Sequence, residues 1–290
     1  MIPVTQCFFV SDLHGSPDRY AKLFDVIRRD RPGAVFLGGD LFPSSFPARQ
    51  APAGAPGDFL EGVLVAGFQR LRAAMHARYP RVFLILGNDD PRVRERDVCA
   101  AADAGLWEYL HLRRAQLGAF TVFGYACVPP TPFLMKDWER YDVSMHVDPG
   151  CVSPEEGWRS VAVPAHEIHH GTMQKDLHAL TGADDLSRAV VLFHSPPYQT
   201  HLDRAALDEK TVDYVPLDVH VGSIAIRRFI EARQPLATLH GHIHESARIT
   251  GDWKERIGRT HAFSAAHDGP ELALVRFDLE RLEDATRELV

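Results

Sequence analysis

The sequence predicts an α/β protein assembled from strand–helix–strand units. Three features predict it. Short apolar runs of strand length recur and end in Gly, Asp, Asn or His. Segments between them repeat apolar residues at helical spacing. The chain has 290 residues, 45% of them hydrophobic, enough to bury a substantial core.

The first unit runs from Phe8 to Asp40. Phe8-Phe9-Val10 reads as a strand leading into Asp12-Leu13-His14. Ser16-Pro17 opens a helix with a capping hydroxyl and a proline in the first turn, and Tyr20, Leu23, Phe24 and Ile27 form its buried stripe. Val35-Phe36-Leu37 is the second strand, ending in Gly38-Gly39-Asp40. Residues Pro43 to Gly57, rich in Pro, Ala, Ser and Gly, read as a surface loop. Leu60, Val63, Leu64, Gly67, Phe68 and Leu71 mark a second helix. The strand Val82 to Leu86 then ends in Gly87-Asn88-Asp89-Asp90.

A polar helix from Pro91 to Ala104 and a strand from Phe120 to Tyr125 follow. Val128 to Thr181 lacks sustained periodicity, with room for one helix, and is read as an irregular insertion flanking the site. Ala189 to Phe193 is a strand ending at His194 and stopped by Pro196-Pro197. A helix from about Gly222 to Ala232 leads to the strand Ala237 to Leu239 and to His240-Gly241-His242-Ile243-His244. The tail offers three strand candidates, Ala247 to Thr250, Thr260 to Ser264 and Leu272 to Phe277, suited to an antiparallel sheet edge. No repeat or linker divides the chain, so residues 1–290 are read as one domain.

Five of these strands are each followed within a few residues by a metal-capable group: Asp12 and His14, Asp40, Asn88, His194, and His242 with His244. Ligands of open α/β sheets gather outside the carboxyl ends of the strands. Turns are rich in Asp and Asn anyway, which explains any single member but not the histidines among them. Carboxylates with imidazoles suit a divalent cation such as manganese, iron or zinc, and two carboxylates brought together repel unless a cation separates them. Asn88 is the only asparagine in the chain, kept where a neutral oxygen ligand would sit.

The order Asp12-x-His14, Gly39-Asp40, Gly87-Asn88, His194, Gly241-His242-x-His244 resembles the calcineurin-like metallophosphoesterase family, from Phe8 to His244. The resemblance implies two mixed β-sheets packed face to face and flanked by helices, a four-layer αββα sandwich, with two divalent metal ions. It implies that Asp12, His14 and His244 hold the first ion, that Asn88, His194 and His242 hold the second, and that Asp40 bridges them. Two cations roughly 3.5 to 4 Å apart lower the pKa of a bridging water to give hydroxide and clamp a phosphoryl oxygen for in-line attack. The expected reaction is hydrolysis of a phosphodiester or phosphomonoester. The segments Phe133 to Asp142, Ser195 to Asp203 and His220 to Phe229 are similar to those of an uncharacterised microbial branch of the family.

Two positions depart from the family pattern. Where the family places a histidine after Gly-Asn, this chain has Asp89, which serves as a general acid only if burial or Asp90 raises its pKa against the pull of the cations. His267 and His201 are the substitutes. Near the end, Ser264-Ala265-Ala266-His267-Asp268-Gly269 stands in place of an Asn-Pro-Gly-like turn, so that rim of the cleft is altered.

A net charge of −7, from 32 basic and 39 acidic residues, disfavours a long nucleic-acid partner. Arg92, Arg94 and Arg96 are interrupted by Glu95 and preceded by Asp90, so a small phosphoester is preferred over a nuclease substrate. A non-catalytic interaction platform with the same fold is the other alternative; seven ligand candidates favour the enzyme. His166-Glu167-Ile168-His169-His170 satisfies the H-E-x-x-H zinc-protease pattern, but Gly171 would break the helix it needs. His201, Asp203, Lys210, His220 and Trp138 are substrate contacts by loop position only. With no export or spanning segment in view, the reading is a cytoplasmic protein without a membrane partner. The four cysteines read as reduced thiols.

Overall fold

Two six-stranded sheets, each covered on its outer face by helices, make up the architecture of the computed structural model, which describes residues 6–44 and 58–290. Most of the loop expected from Pro43 to Gly57, and the first five residues, lie outside the described residues. In chain order the elements begin with strand β1 (Gln6–Val10), helix α1 (Pro17–Asp30), β2 (Ala34–Gly38) and a π-helical turn (Leu60–Val65) running into α2 (Ala66–Met75). Then come β3 (Arg81–Ile85), α3 (Glu95–Asp103), β4 (Glu108–Tyr109), β5 (Arg113–Leu117) and β6 (Phe120–Tyr125). Helices α4 (Ala165–His170) and α5 (Met173–Thr181) precede β7 (Ala189–Phe193), the small hairpin β8 (Thr211–Val212) and β9 (Val215–Pro216), α6 (Ile224–Arg233) and β10 (Ala237–His240). The chain closes with α7 (Ser246–Thr250), β11 (Lys254–Ile257), β12 (Thr260–Ser264), β13 (Ala273–Asp278) and β14 (Arg281–Leu289).

The first sheet has the order β14-β13-β1-β2-β3-β4, with β1 to β4 parallel and β13 antiparallel to β1. The second has the order β11-β12-β10-β7-β6-β5, parallel through its four central strands and antiparallel at both edges. Register decides where the loops begin. Val10 lies opposite Leu37, and Leu37 opposite Leu84; Leu239 lies opposite Leu192. The segments that follow these strands therefore leave each sheet at one level.

The sheets face each other through β2 and β3 on one side and β6 and β7 on the other. The ring of Phe263 is 5.8 Å from Phe277, itself 5.9 Å from Phe36, so one aromatic chain crosses the interface. Strands β2, β7 and β10 are buried throughout, as parallel strands covered on both faces must be. On the outer face of the first sheet, α1 begins where Ser16 Oγ accepts from Arg19 N and buries Tyr20, Leu23, Val26 and Ile27. Its Phe24 meets Phe68 of α2 edge-on at 5.2 Å. On the second sheet α6 packs on α5 and sets Phe229 against Phe193 of β7.

Several expectations need correction. Ala247 to Thr250 is not a strand but helix α7, closed by Gly251 in the left-handed region at φ 81°. The strand of that stretch, β11, begins at Lys254, and β12 runs parallel to β10 rather than forming a purely antiparallel edge. The 128–181 stretch holds two helices, because Thr172 caps a second one immediately after Gly171 ends the first in an extended conformation. This stretch is anchored to the second sheet's helical layer: the Asp142 carboxylate accepts from Ser223 Oγ and from the Ile224 and Ala225 amides at the start of α6. It also contains a fully buried ion pair, in which Lys136 Nζ donates to Glu139 and to Thr131 O while Glu139 accepts from Thr131 N. Among the described residues no helix is long and apolar enough to cross a membrane.

Candidate metal centre

The loops leaving β1, β2, β3, β7 and β10 converge. Asp12, His14, Asp40 and His244 form one group of potential donors, and Asp40, His194 and His242 a second, each with donor atoms within 4.8 Å of one another. Asp40 belongs to both. Asn88 joins the second group through its side-chain oxygen, 3.0 Å from His194 Nε2. His194 Nε2 is 3.3 Å from Asp40 Oδ2, His244 Nε2 is 3.4 Å from Asp12 Oδ1, and the facing Nε2 atoms of His14 and His244 are 3.0 Å apart.

The backbone that delivers these groups is strained. Asp12, His14, Asp40 and His242 all have positive φ, at 56°, 44°, 52° and 75°, a region uncommon outside glycine. Adjacent glycines let the loops close in. A Cβ on Gly87 would stand 2.2 Å from Asp40 Oδ1, and one on Gly241 would stand 2.0 Å from Ser11 Oγ and 2.6 Å from Asp12 Oδ2.

Outer contacts aim the donors. His194 Nδ1 lies 2.8 Å from Gly38 O, which fixes a proton there and leaves Nε2 for the site. The His242 amide donates to Asp12, and the Asp89 amide donates to Asp40 Oδ1 at 2.8 Å. Asp90 plays a part that sequence reasoning gave it no credit for. Its buried carboxylate accepts from the amides of Leu41, Phe42 and Gly87 and so ties the loop after β2 to the loop after β3. Burial and the nearby Asp40 push its carboxyl up to about 8, against those three amides. A charged residue two positions after the candidate ligand Asn88 is the signal the sequence offers for this role.

Electrostatically the cluster is a tight exchange of charge. Burial works to raise Asp12 and Asp40, yet the surrounding histidines outweigh it and hold both carboxyls below their usual range. Burial works to lower His194 and His244, yet the two aspartates lift them to about 10 and about 9. At His242 burial, with the charge of His194, outweighs the same two aspartates and drives it down to about 3. Carboxylates and imidazoles that share protons across 3.3 and 3.4 Å fit divalent cations, which would take the protons' place with oxygen and nitrogen donors at one point.

Asp89 stands at the rim. Its Oδ2 accepts from Ser44 Oγ at 3.0 Å and lies 3.5 Å from His14 Nδ1. Its pKa is raised by burial and then by Asp40, rather than by Asp90. Ser44, which also lies 3.0 Å from His14 Nδ1, is a site neighbour that sequence reasoning did not find. Of the two substitutes for a general acid, His267 lines a cavity together with His14 and His244. His201 is on the surface beside Asp252 and Glu255, outside the site. Trp138 is buried and donates to Asp90 O, so it supports the Asp90 loop rather than touching substrate. His240, within the same histidine run, is held by Ser195 O and Thr238 Oγ1 and takes no part in either donor group. His166 and His170 lie exposed on the six-residue α4, which Gly171 terminates, and belong to no donor group among the described residues.

Fold and donors together define an α/β protein able to hold divalent cations at the carboxyl ends of its strands. The family model for calcineurin-like phosphoesterases matches residues 7–246, and the chain belongs to that family. Among solved structures it is similar to TT1561 of Thermus thermophilus, with a TM-score of 0.60 and 17% identity over 98% of each chain. It is also similar to a dimetal phosphatase from Danio rerio, with a TM-score of 0.53 and 13% identity over 99% of this chain and 96% of that one. At such identities these two share the fold. No curated protein matches the chain.

Proposed function

We propose that the protein is a dinuclear metal-dependent phosphoesterase that hydrolyses a phosphodiester or phosphomonoester. The observation that carries this reading is the pair of donor groups meeting at Asp40. Asp12, His14, Asp40 and His244 would hold one ion, and Asp40, Asn88, His194 and His242 the other. Two such ions supply an activated water and charge to stabilise the phosphoryl oxygens.

The chain's own residues do the rest. His194 directs Nδ1 at Gly38 O, so its Nε2 would be the atom that holds an ion. The His242 amide holds Asp12 in place, and Asp90 locks the two loops that present Asp40 and Asn88. Asp89, hydrogen-bonded to Ser44 at the rim, is assigned to the leaving group's proton. The substrate is a small phosphoester. A nuclease reading loses its basic run, because Arg94 is buried against Asp58 and Arg92 is paired with Glu95.

The test is metal analysis of the purified protein together with product release from 4-nitrophenyl phosphate and bis(4-nitrophenyl) phosphate, with and without added Mn²⁺ or Zn²⁺. Two metals per chain with metal-dependent turnover is the expected result. A protein that binds no metal and turns over neither ester would be an interaction platform instead.

A further inference from the structure

Resting on the phosphoesterase reading, we propose that the substrate carries an apolar, uncharged organic group on a single phosphoryl centre, and that this group fills the cavity beside the donor cluster. The class is an alkyl or aryl phosphoester, not a nucleotide, a polyphosphate or a sugar bearing further charge.

The cavity has a volume of about 720 Å³ and opens directly on His14, Asp40, Asn88, His242 and His244. That size suits a ligand of a few dozen atoms. Its far wall is built from the 128–181 stretch and from the segment around the β8–β9 hairpin, through Pro130, Phe133, Val143, Leu207, Leu217 and Val221. Phe133 is half exposed, an aromatic surface left partly open to the cavity.

Charge narrows the class further. Among the described residues that line the cavity none is lysine or arginine, whereas Asp89, Asp142, Asp148, Asp218 and Glu245 all are part of its lining. Three of these carboxylates are structural: Asp142 caps α6, Asp218 accepts from Tyr198 and the His220 amide, and Glu245 accepts from the Ala206 amide. A second phosphate or carboxylate on the substrate would meet no lysine or arginine on these walls. The two histidines there outside the donor groups, His146 and His220, already face Asp148 and Asp203, so like charge opposes the added anion and costs binding steeply. A sequence-tolerant nucleic-acid track would need the reverse lining. Apolar substituents, in contrast, gain from leaving water at the walls just named.

The experiment uses three 4-nitrophenyl phosphodiesters that share the leaving group and differ in the second ester: methyl, hexyl and 5-carboxypentyl. On the Mn²⁺-loaded full chain, kcat/KM for the hexyl ester should exceed that for the methyl ester by about thirtyfold, as burial of about half of five added methylenes gives. The carboxypentyl ester should fall back to the methyl value or below. Leu217→Lys should reverse the order of the hexyl and carboxypentyl esters. Hexyl within twofold of methyl, or carboxypentyl equal to hexyl, would overturn the proposal.

Calorimetric titration with hexylphosphonate and methylphosphonate reads the same preference without turnover. Tighter hexylphosphonate binding with no ester hydrolysed would sustain the cavity assignment and remove the phosphoesterase reading. Hydrolysis without chain-length preference would remove the cavity assignment alone, and absence of both would remove both.

Discussion

Asp40→Asn is the perturbation that most directly examines the shared centre. Asp40 is common to both donor groups, so losing its charge should weaken both ions rather than one. A ligand at a hundredfold its Kd adds about 2.7 kcal/mol of stability, so two independent ions add about 5 kcal/mol. At roughly 2 °C per kcal/mol for a chain of this size, saturating metal should raise Tm by about 10 °C. The metal-free comparison separates ligation from packing. In that state His194 is lifted to about 10 chiefly because Asp40 overcomes the effect of burial, and an asparagine lets the imidazole give up its proton, so the variant should lose no more than about 2 kcal/mol. The assay is thermal unfolding with EDTA, Mn²⁺ or Zn²⁺, alongside metal content by atomic emission. Wild type should bind two ions and show the full shift; Asp40→Asn should bind one or none and keep less than half of it. A variant that retained both ions and the full shift would refute the idea that one carboxylate joins the two groups.

Other outcomes follow from the same geometry. Lys136→Met leaves Glu139 buried without its ammonium partner and should cost about 3 kcal/mol by chemical denaturation, with the double variant Lys136→Met/Glu139→Gln recovering at least half. Burial raises Glu139 to about 7 despite Lys136; a folded pKa above the unfolded one contributes stability that is complete below about pH 4.5 and lost as pH rises through 7. Relative to Glu139→Gln, wild type should therefore lose up to about 3 kcal/mol between pH 4.5 and 7.5, measured by paired denaturation series. Asp89→His, which restores the family's residue at the rim, should raise kcat on an aryl phosphodiester by about tenfold or more, within the range general acids supply; an unchanged kcat would show that Asp89 does not limit the reaction.

How much of this was legible in the sequence depended on range. The groups that converge were readable because parallel strands of similar length end at one level, and the residue types beyond them are chemically distinctive. The facing of the two sheets through Phe36, Phe263 and Phe277 has no local signature and came only through family resemblance. The last strand shows propensity overruled. Leu282, Ala285 and Leu289 have helical spacing among helix-forming residues, yet this segment pairs antiparallel with β13, because an open sheet edge offers more than an isolated helix would. Short polar strands such as β5 are edge strands, with little hydrophobic alternation to betray them. The link from Asp142 to α6 joins segments far apart in the chain, and that from Asp203 to His220 at 2.8 Å closes an irregular connection, so no spacing rule could have found them.

Backbone strain supplies an argument for function independent of the donor chemistry. Turns after strands attract Asp and Asn for reasons of local hydrogen bonding, and that accounts for Asp12 or Asp40 at positive φ taken singly. Positive φ by itself is not the signal, since His76 adopts it at a helix C-cap; what local turn chemistry leaves unexplained is two imidazoles doing so within one donor cluster. A chain that needed only a turn at positions 14 and 242 would gain on the order of 1 kcal/mol at each by using glycine, and this chain has glycine immediately beside both, at Gly15 and Gly241. The strain persists because the surroundings over-determine it: Asp90 clamps the two adjoining loops through three amides, and at Gly87 and Gly241 there is no room for a Cβ to relax them. Strained side chains held in place by such contacts are held for where they point, and His14 and His242 point toward the carboxylates of Asp12 and Asp40.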